Sequence, residues 1–510
     1  MKKYTFLISL LIFVGFIAMT SCGDDFLTAS STEKKLAGEE ATEEVILANL
    51  ASAYQILLFD SYANQNYNSV LLMSDLRSDD IYKGGENPGD QAQLYLLSTF
   101  NSNSRETLGG LWSIYFTGLA RANNVLMACE NVADVSEAKL NQYKAEGHFL
   151  RAYYTHLLWK FWGNIPYFEE PLDKSPFMAP QLEADEIYEK IMMDVDFACT
   201  DGYLPMKSTE IGRVNRAAAL MLKARVVLYQ KDSAKYPDIT REMAAIIKSG
   251  QYDLFEDFEA MWLDENEFCK ESIFESNQLP EGKTWGSGWQ GYGTNLPAFI
   301  SPNELKDPAN VFKGGWGFGP VRPEAYSIYE AGDTRRDGSI TDWTNFEYNT
   351  NRFQNTGLFM RKYAAREGYN PPPGDQDLNY ANNLRIFRYA ETLLNYAELL
   401  AIHGQSPVDG ITAQECLDKI RYRAFGRAAS IAATAENIKL ERRREFLGEG
   451  MRFWDLVRWG DAVQVLTEVN EEYGATRTFA EWMKHIPIPQ SEIDKTKNTD
   501  FELKQVGQWN

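Results

Sequence analysis

The sequence is poor in the residues that carry most metal and redox chemistry. Four histidines (His148, His156, His403 and His485) are scattered over 510 residues, and none stands in an HExxH or other zinc spacing. Apart from Cys22, the cysteines are Cys129, Cys199, Cys269 and Cys416, at least 70 residues apart, so no CxxC site exists. They read as small apolar core thiols. Positive charge is also scarce, with 51 Lys and Arg against 72 Asp and Glu and a formal charge of −21. That deficit argues against a nucleic-acid partner, whose phosphates must be neutralised, and against a basic patch on anionic lipid. No GxxxxGK[ST], strand-associated GxGxxG or GxSxG occurs, so nothing calls for a nucleotide, a cofactor or a serine nucleophile. Asp75, Asp79 and Asp80 lack the ligand spacing and glycine of a calcium loop and are expected to be solvated or helix-capping. With 72 acidic residues, sequence proximity selects no glycosidase carboxylate pair.

What is present begins at the N-terminus. Lys2 and Lys3 precede an apolar stretch from Phe6 to Ala18, with Ser21 just before Cys22, which reads as a secretory signal. No later apolar run reaches 18 residues, so no transmembrane helix is expected. A cysteine at the cleavage point resembles a bacterial lipobox, although Met19 stands where leucine is commonest. The alternative is a soluble secreted chain in which Cys22 is incidental. Cleavage before Cys22 removes two lysines, taking the charge from −21 to −23. Gly23-Asp24-Asp25 resembles the export signal of Bacteroidetes surface lipoproteins, and residues 28–44 are polar enough to form a tether.

The length suits three domain-sized units or one large fold with insertions, and 44% apolar with 24% charged residues is ordinary globular usage. From about Val45 to Tyr229 the periodicity is helical, beginning with Val45, Leu47, Leu50, Tyr54, Leu57 and Leu58 on one face. Ala145-x3-Phe149-x2-Ala152, Ala217-x3-Met221-x2-Ala224 and Ala390-x3-Leu394-x2-Ala397 each place small, large and small residues on one helix face. That pattern suits close helix pairs of the tetratricopeptide kind, but the spacing is too uneven for a regular solenoid. The fold expected is therefore mainly α, an irregular tetratricopeptide-like scaffold with a large loop-rich insertion.

Between Gln251 and Leu384 the character changes. Residues 281–320 hold nine glycines and three tryptophans, where average usage gives roughly three and one. Glycine allows unusual turns and leaves rings uncrowded. In TWGSGWQGYG (284–293) and GGWGFG (314–319) aromatics alternate with glycine, as in platforms that bury the apolar faces of sugar rings. The competing reading is that these rings plug loops onto the helical core. Helix is expected to resume near Leu384.

The C-terminal third is the most specific. FRYAETLLNYAELLA (387–401), ERRREFLGEGMRFWDLVRWG (441–460) and HIPIPQSEI (485–493) occur in order, preceded upstream by RANNVL (121–126) and EGHFLRAYYTHLLWKFWGNIPYF (146–168). These resemble the SusD/RagB family of outer-membrane nutrient-binding lipoproteins of Bacteroidetes, over essentially the whole mature chain. The strongest motifs read as scaffold: Leu447, Met451, Trp454 and Arg458 form one helical stripe, flanked by Glu441/Glu445 and Arg444/Arg452 in solvated or partly buried networks.

The resemblance implies a signal peptide at 1–21, an acylated Cys22 and tether at 22–44, and one unit over 45–510. That unit divides into an N-terminal helical part at 45–250, a ligand-face insertion at 251–383 and a C-terminal helical part at 384–510. It further implies a cell-surface, lipid-anchored outer-membrane protein that captures a glycan and passes it to a SusC-like TonB-dependent transporter, without catalysis or cofactor. Family ligand sites combine insertion aromatics with early polar residues. Here those are Trp285, Trp289, Tyr292 and Trp316 as stacking platforms, with Arg77, Asp79 and Asn101 as hydroxyl-bonding partners. A peptide-binding RagB-like protein, a surface glycan-degrading enzyme and an adhesion lipoprotein are the alternatives.

Overall fold

The computed structural model describes residues 42–59, 62–63, 66–130, 132–172, 178–286 and 293–509. The signal, Cys22 and most of the tether, and also Trp289 and Tyr292, lie outside the described residues. Among the described residues, six helices of thirteen or more residues precede the insertion: α1 (Glu43–Gln55), α2 (Gly109–Glu130), α3 (Glu137–Trp162), α4 (Ala184–Ala198), α5 (Arg216–Gln230) and α6 (Tyr236–Lys248). Four more, of eight to thirteen residues, follow the insertion: α7 (Tyr389–Ala401), α8 (Ala413–Phe425), α9 (Ala435–Phe446) and α10 (Arg452–Trp459). From α1 to α8 each helix packs on the next, α6 on α7 included, so the array continues across the insertion. Among the described residues no helix is long and apolar enough to cross a membrane.

Local chemistry sets the helix ends. Thr42 and Ser136 cap α1 and α3 with their hydroxyls, and Thr412 with Glu415 forms a capping box on α8. Asn215 caps α5 by accepting from Ala218 N (2.9 Å), while its amide donates to Ile273 O (2.8 Å). One side chain thus fixes a helix start to the strand where the insertion begins. The nine residues of the three small–large–small patterns are all fully buried, at 0% exposure. Small residues there let neighbouring helices approach closely. In α1 the buried stripe is Ile46, Leu50 and Ala53, whereas Leu47 is 40% exposed, so the expected face is rotated.

The insertion leaves after α6 and returns to α7 through antiparallel strands Ser272–Ser276 and Leu384–Arg388, with Glu275 opposite Arg385. Helix was expected from Leu384, but it starts at Tyr389, because the pairing partner lies over a hundred residues away. The expected single helix through Leu447 and Trp454 is likewise two. Gly448 and Gly450 take φ of +81° and +72° between α9 and α10, a conformation that suits glycine and ends a helix.

Charges expected in solvated or partly buried networks are largely interior. Glu445 on α9 meets Arg388 (2.6 Å), Arg335 (3.1 Å) and Arg423 of α8, all at most 3% exposed at the side chain. Arg388 also bonds Glu271 (2.8 Å) and Glu449 (2.7 Å). Burial would raise the Glu445 carboxyl, but the guanidiniums of Arg423, Arg388 and Arg335 outweigh it and hold it well below the ordinary range. Cys129, Cys199 and Cys416 are buried free thiols and Cys269 is half-buried, as core thiols should be.

Candidate functional site

The glycine-tryptophan segment is stitched onto the short helix Leu296–Ile300. Trp316 N donates to Ala298 O (2.7 Å), Gly317 N to Ser301 O (2.8 Å) and Phe318 N to Phe299 O (3.0 Å). A Cβ at Gly315 would stand 2.2 Å from Ala298 O, so this approach needs glycine. The early chain closes on the same segment: Gly84 and Phe318 form an antiparallel bridge, and Gly85 N donates to Gly317 O (2.8 Å). A Cβ at Gly84 would come within 2.4 Å of Gly317 O. Residues some 230 positions apart in sequence therefore share one surface.

That surface is aromatic. The Trp316 and Trp285 rings stack with centroids 5.8 Å apart and planes 29° apart. Behind them the edges of Tyr67 (5.6 Å) and Phe299 (5.3 Å) meet Trp316, and Phe318 packs on Phe299 (4.3 Å). Edge-to-face contacts of this kind fix ring orientation as well as burying area. Trp316 Nε1 donates to Asp377 (3.3 Å) and Trp285 N to Asp375 (2.8 Å). Trp285 remains 40% exposed. Beneath the Trp285 segment, Lys283 is fully buried, its Nζ donating to Gly293 O (3.3 Å) and its backbone paired with Asn379. Burial pulls this ammonium down to about 7.

Adjoining Trp316 is a cavity of about 180 Å³. Tyr67, Phe299, Phe318 and Trp316 give its apolar lining, and Asp90, Gln91, Asn303 and Arg352 its polar lining. Asn303 is held rigidly, donating to Gly315 O (3.0 Å) and accepting from Asn349 (3.0 Å). A second cavity, of about 30 Å³, lies inside the helical array beside His156, Lys160, Arg225 and Tyr229. It has room for about one water and none for a sugar.

Of the residues anticipated for the site, Trp285 and Trp316 come together. Trp289 and Tyr292 lie outside the described residues. Arg77 is 1% exposed, donates to Met483 O (2.5 Å) and Lys484 O (3.1 Å), and lies 3.9 Å above the Phe453 ring. It is a core tie, closed off from the surface where a ligand would lie. Asp79 grips Arg452 (2.8 and 3.0 Å) and Arg443 (3.0 Å), which overcome the opposing effect of burial and hold its carboxyl well below the usual range. Asp75 and Asp80 are fully buried rather than solvated. Asn101 is exposed and donates to Thr99 O (3.0 Å). Among the described residues no hydrogen bond or ring contact links it to the tryptophans. Tyr67, Phe299, Asp90, Asn303 and Arg352 were missed. Phe318 stood within GGWGFG and was legible there, whereas the others have no local signal.

The fold and surface define a helical-repeat binding protein whose insertion presents an open aromatic face, able to stack an apolar ring face. The SusD family profile matches residues 335–505, and a profile described as "Starch-binding associating with outer membrane" matches residues 25–228. Surface glycan-binding protein A from Bacteroides fluxus is 66% identical, superposes with a TM-score of 0.89, and the match covers 92% of this chain and 100% of that one. Surface glycan-binding protein A from Bacteroides thetaiotaomicron, solved in complex with laminarihexaose, is 36% identical with a TM-score of 0.84, over 91% and 99% of the two chains. SusD-like protein P38 from Formosa agariphila is 24% identical over 95% of this chain and 98% of its own. The chain belongs to the SusD family.

Proposed function

We propose that the protein captures a glucan of the laminarin type by stacking pyranose faces on Trp285 and Trp316, binding it without turnover. The observation that carries this is the tryptophan pair, rings 5.8 Å apart and inclined by 29°, with Trp285 40% exposed, which leaves aromatic surface open to a pyranose face. Support for the ligand class comes from a relative, 36% identical, solved with laminarihexaose, and from another, 29% identical, described as a laminarin-binding SusD-like protein. Association with the outer membrane is in keeping with the profile over residues 25–228. Acylation at Cys22 would supply the anchor, since several acyl chains hold stably where one is marginal. Delivery to a SusC-like TonB-dependent transporter completes the role.

Calorimetric titration with laminarihexaose tests the reading. Wild type is expected to bind, and Trp285→Ala/Trp289→Ala/Trp316→Ala to lose binding while remaining folded by circular dichroism. Unchanged affinity in the folded variant, or reducing ends released from laminarin by the purified protein, would contradict it.

A further inference from the structure

The cavity beside Trp316 differs in kind from the tryptophan surface. The surface is open and apolar, suited to a chain lying lengthwise. The cavity, at about 180 Å³, is smaller than the roughly 300 Å³ at which pockets for drug-sized ligands begin, so it suits one sugar ring rather than several. Its polar lining also has bonding capacity to spare. Arg352 Nη2 stands 3.9 Å from Asp90 Oδ2, beyond hydrogen-bond length. Asp90 Oδ2 accepts from Glu86 N (2.9 Å), and Oδ1 accepts nothing among the described residues. Arg352 Nη2 donates to Trp316 O (2.7 Å), while its Nη1, which is not sealed by burial, donates to nothing among the described residues. An unbonded carboxylate oxygen beside an underused guanidinium can accept from one hydroxyl and donate to its neighbour, the pairing that a vicinal diol offers.

The geometry points to a subsite for a single hexosyl unit, bonded by Asp90 and Arg352 and reached from the sugar stacked on Trp316. It rests on the glucan reading above and adds to it a preference for what projects from the main chain. Trp316 belongs to both the platform and the cavity lining. A unit attached to the sugar on that ring therefore reaches the cavity without leaving the platform. A glucosyl branch and a chain terminus offer the same hydroxyls, and the experiment separates them.

The probes are a laminarin bearing single glucosyl branches, the same polymer enzymatically debranched, and laminarihexaose, titrated into wild type, Asp90→Asn and Gln91→Phe. Asparagine retains an acceptor for Glu86 N, and phenylalanine fills the cavity. If branches enter, both variants lose at least about fivefold in affinity for the branched polymer and match wild type on the other two. If termini enter, the loss falls on laminarihexaose and spares the long debranched chain. Either result supports the subsite. Variants that match wild type on all three glucans, or lose equally on all three, overturn it while leaving the platform standing. Wild type that binds none of the three overturns both.

Discussion

Lys283 shows how a single residue can set the platform. Its ammonium is sealed from water beneath the segment that carries Trp285, at a site where burial favours the neutral form. The folded group titrates near 7, against about 10.5 when unfolded. Between those values the unfolded chain holds a proton that the folded chain lacks, so folding stability rises with pH across that window. Lys283→Met removes this pH dependence. Urea unfolding at pH 7 and pH 9.5 should therefore show wild type gaining stability relative to the variant as pH rises. A difference that does not change with pH would mean that Lys283 is charged in the fold. The Trp285 ring above it is 40% exposed.

Among elements, the buried ion network is the strongest constraint. Glu445 of α9 draws Arg423 of α8, Arg388 of the closing strand and Arg335 of helix Thr334–Ser339 into one cluster. It joins the insertion to the C-terminal helices. Glu445→Gln leaves three guanidiniums short of a charge and should destabilise the protein by about 3–5 kcal/mol in denaturant unfolding. Because the folded carboxyl is depressed, its contribution is present above the ordinary glutamate range and lost only as pH falls well below it. The deficit should therefore shrink in strong acid. A variant as stable as wild type at pH 7 would show the cluster to be dispensable.

The elements also show what a sequence can disclose. The three alanine-framed patterns are local, and each was legible because one helical turn dictates which residues share a face. Trp285 and Trp316 were legible because glycine-spaced rings have no helical or strand partner nearby. Arg77 and Asp79 were not. They sit in a polar string that looks like surface, and Phe453 and Arg452, which cover or bind them, lie some 370 residues further on. The strand Leu384–Arg388 was missed for the same reason, since its partner is distant. Local patterns carry information about faces, whereas closure of the chain on itself decides which charges are buried.

At the scale of the whole molecule, the helical array is a frame that the insertion leaves and re-enters through one strand pair. The tryptophan surface is fixed by residues from the early chain and the insertion together. A net charge of −21 leaves an acidic exterior, suited to a neutral glucan and unfavourable to a strongly anionic one. The most direct measurement is a crystal structure of the protein with laminarihexaose. Pyranose faces in van der Waals contact with both Trp285 and Trp316 are predicted. A hexaose bound elsewhere, with those two rings uncovered, would contradict the platform.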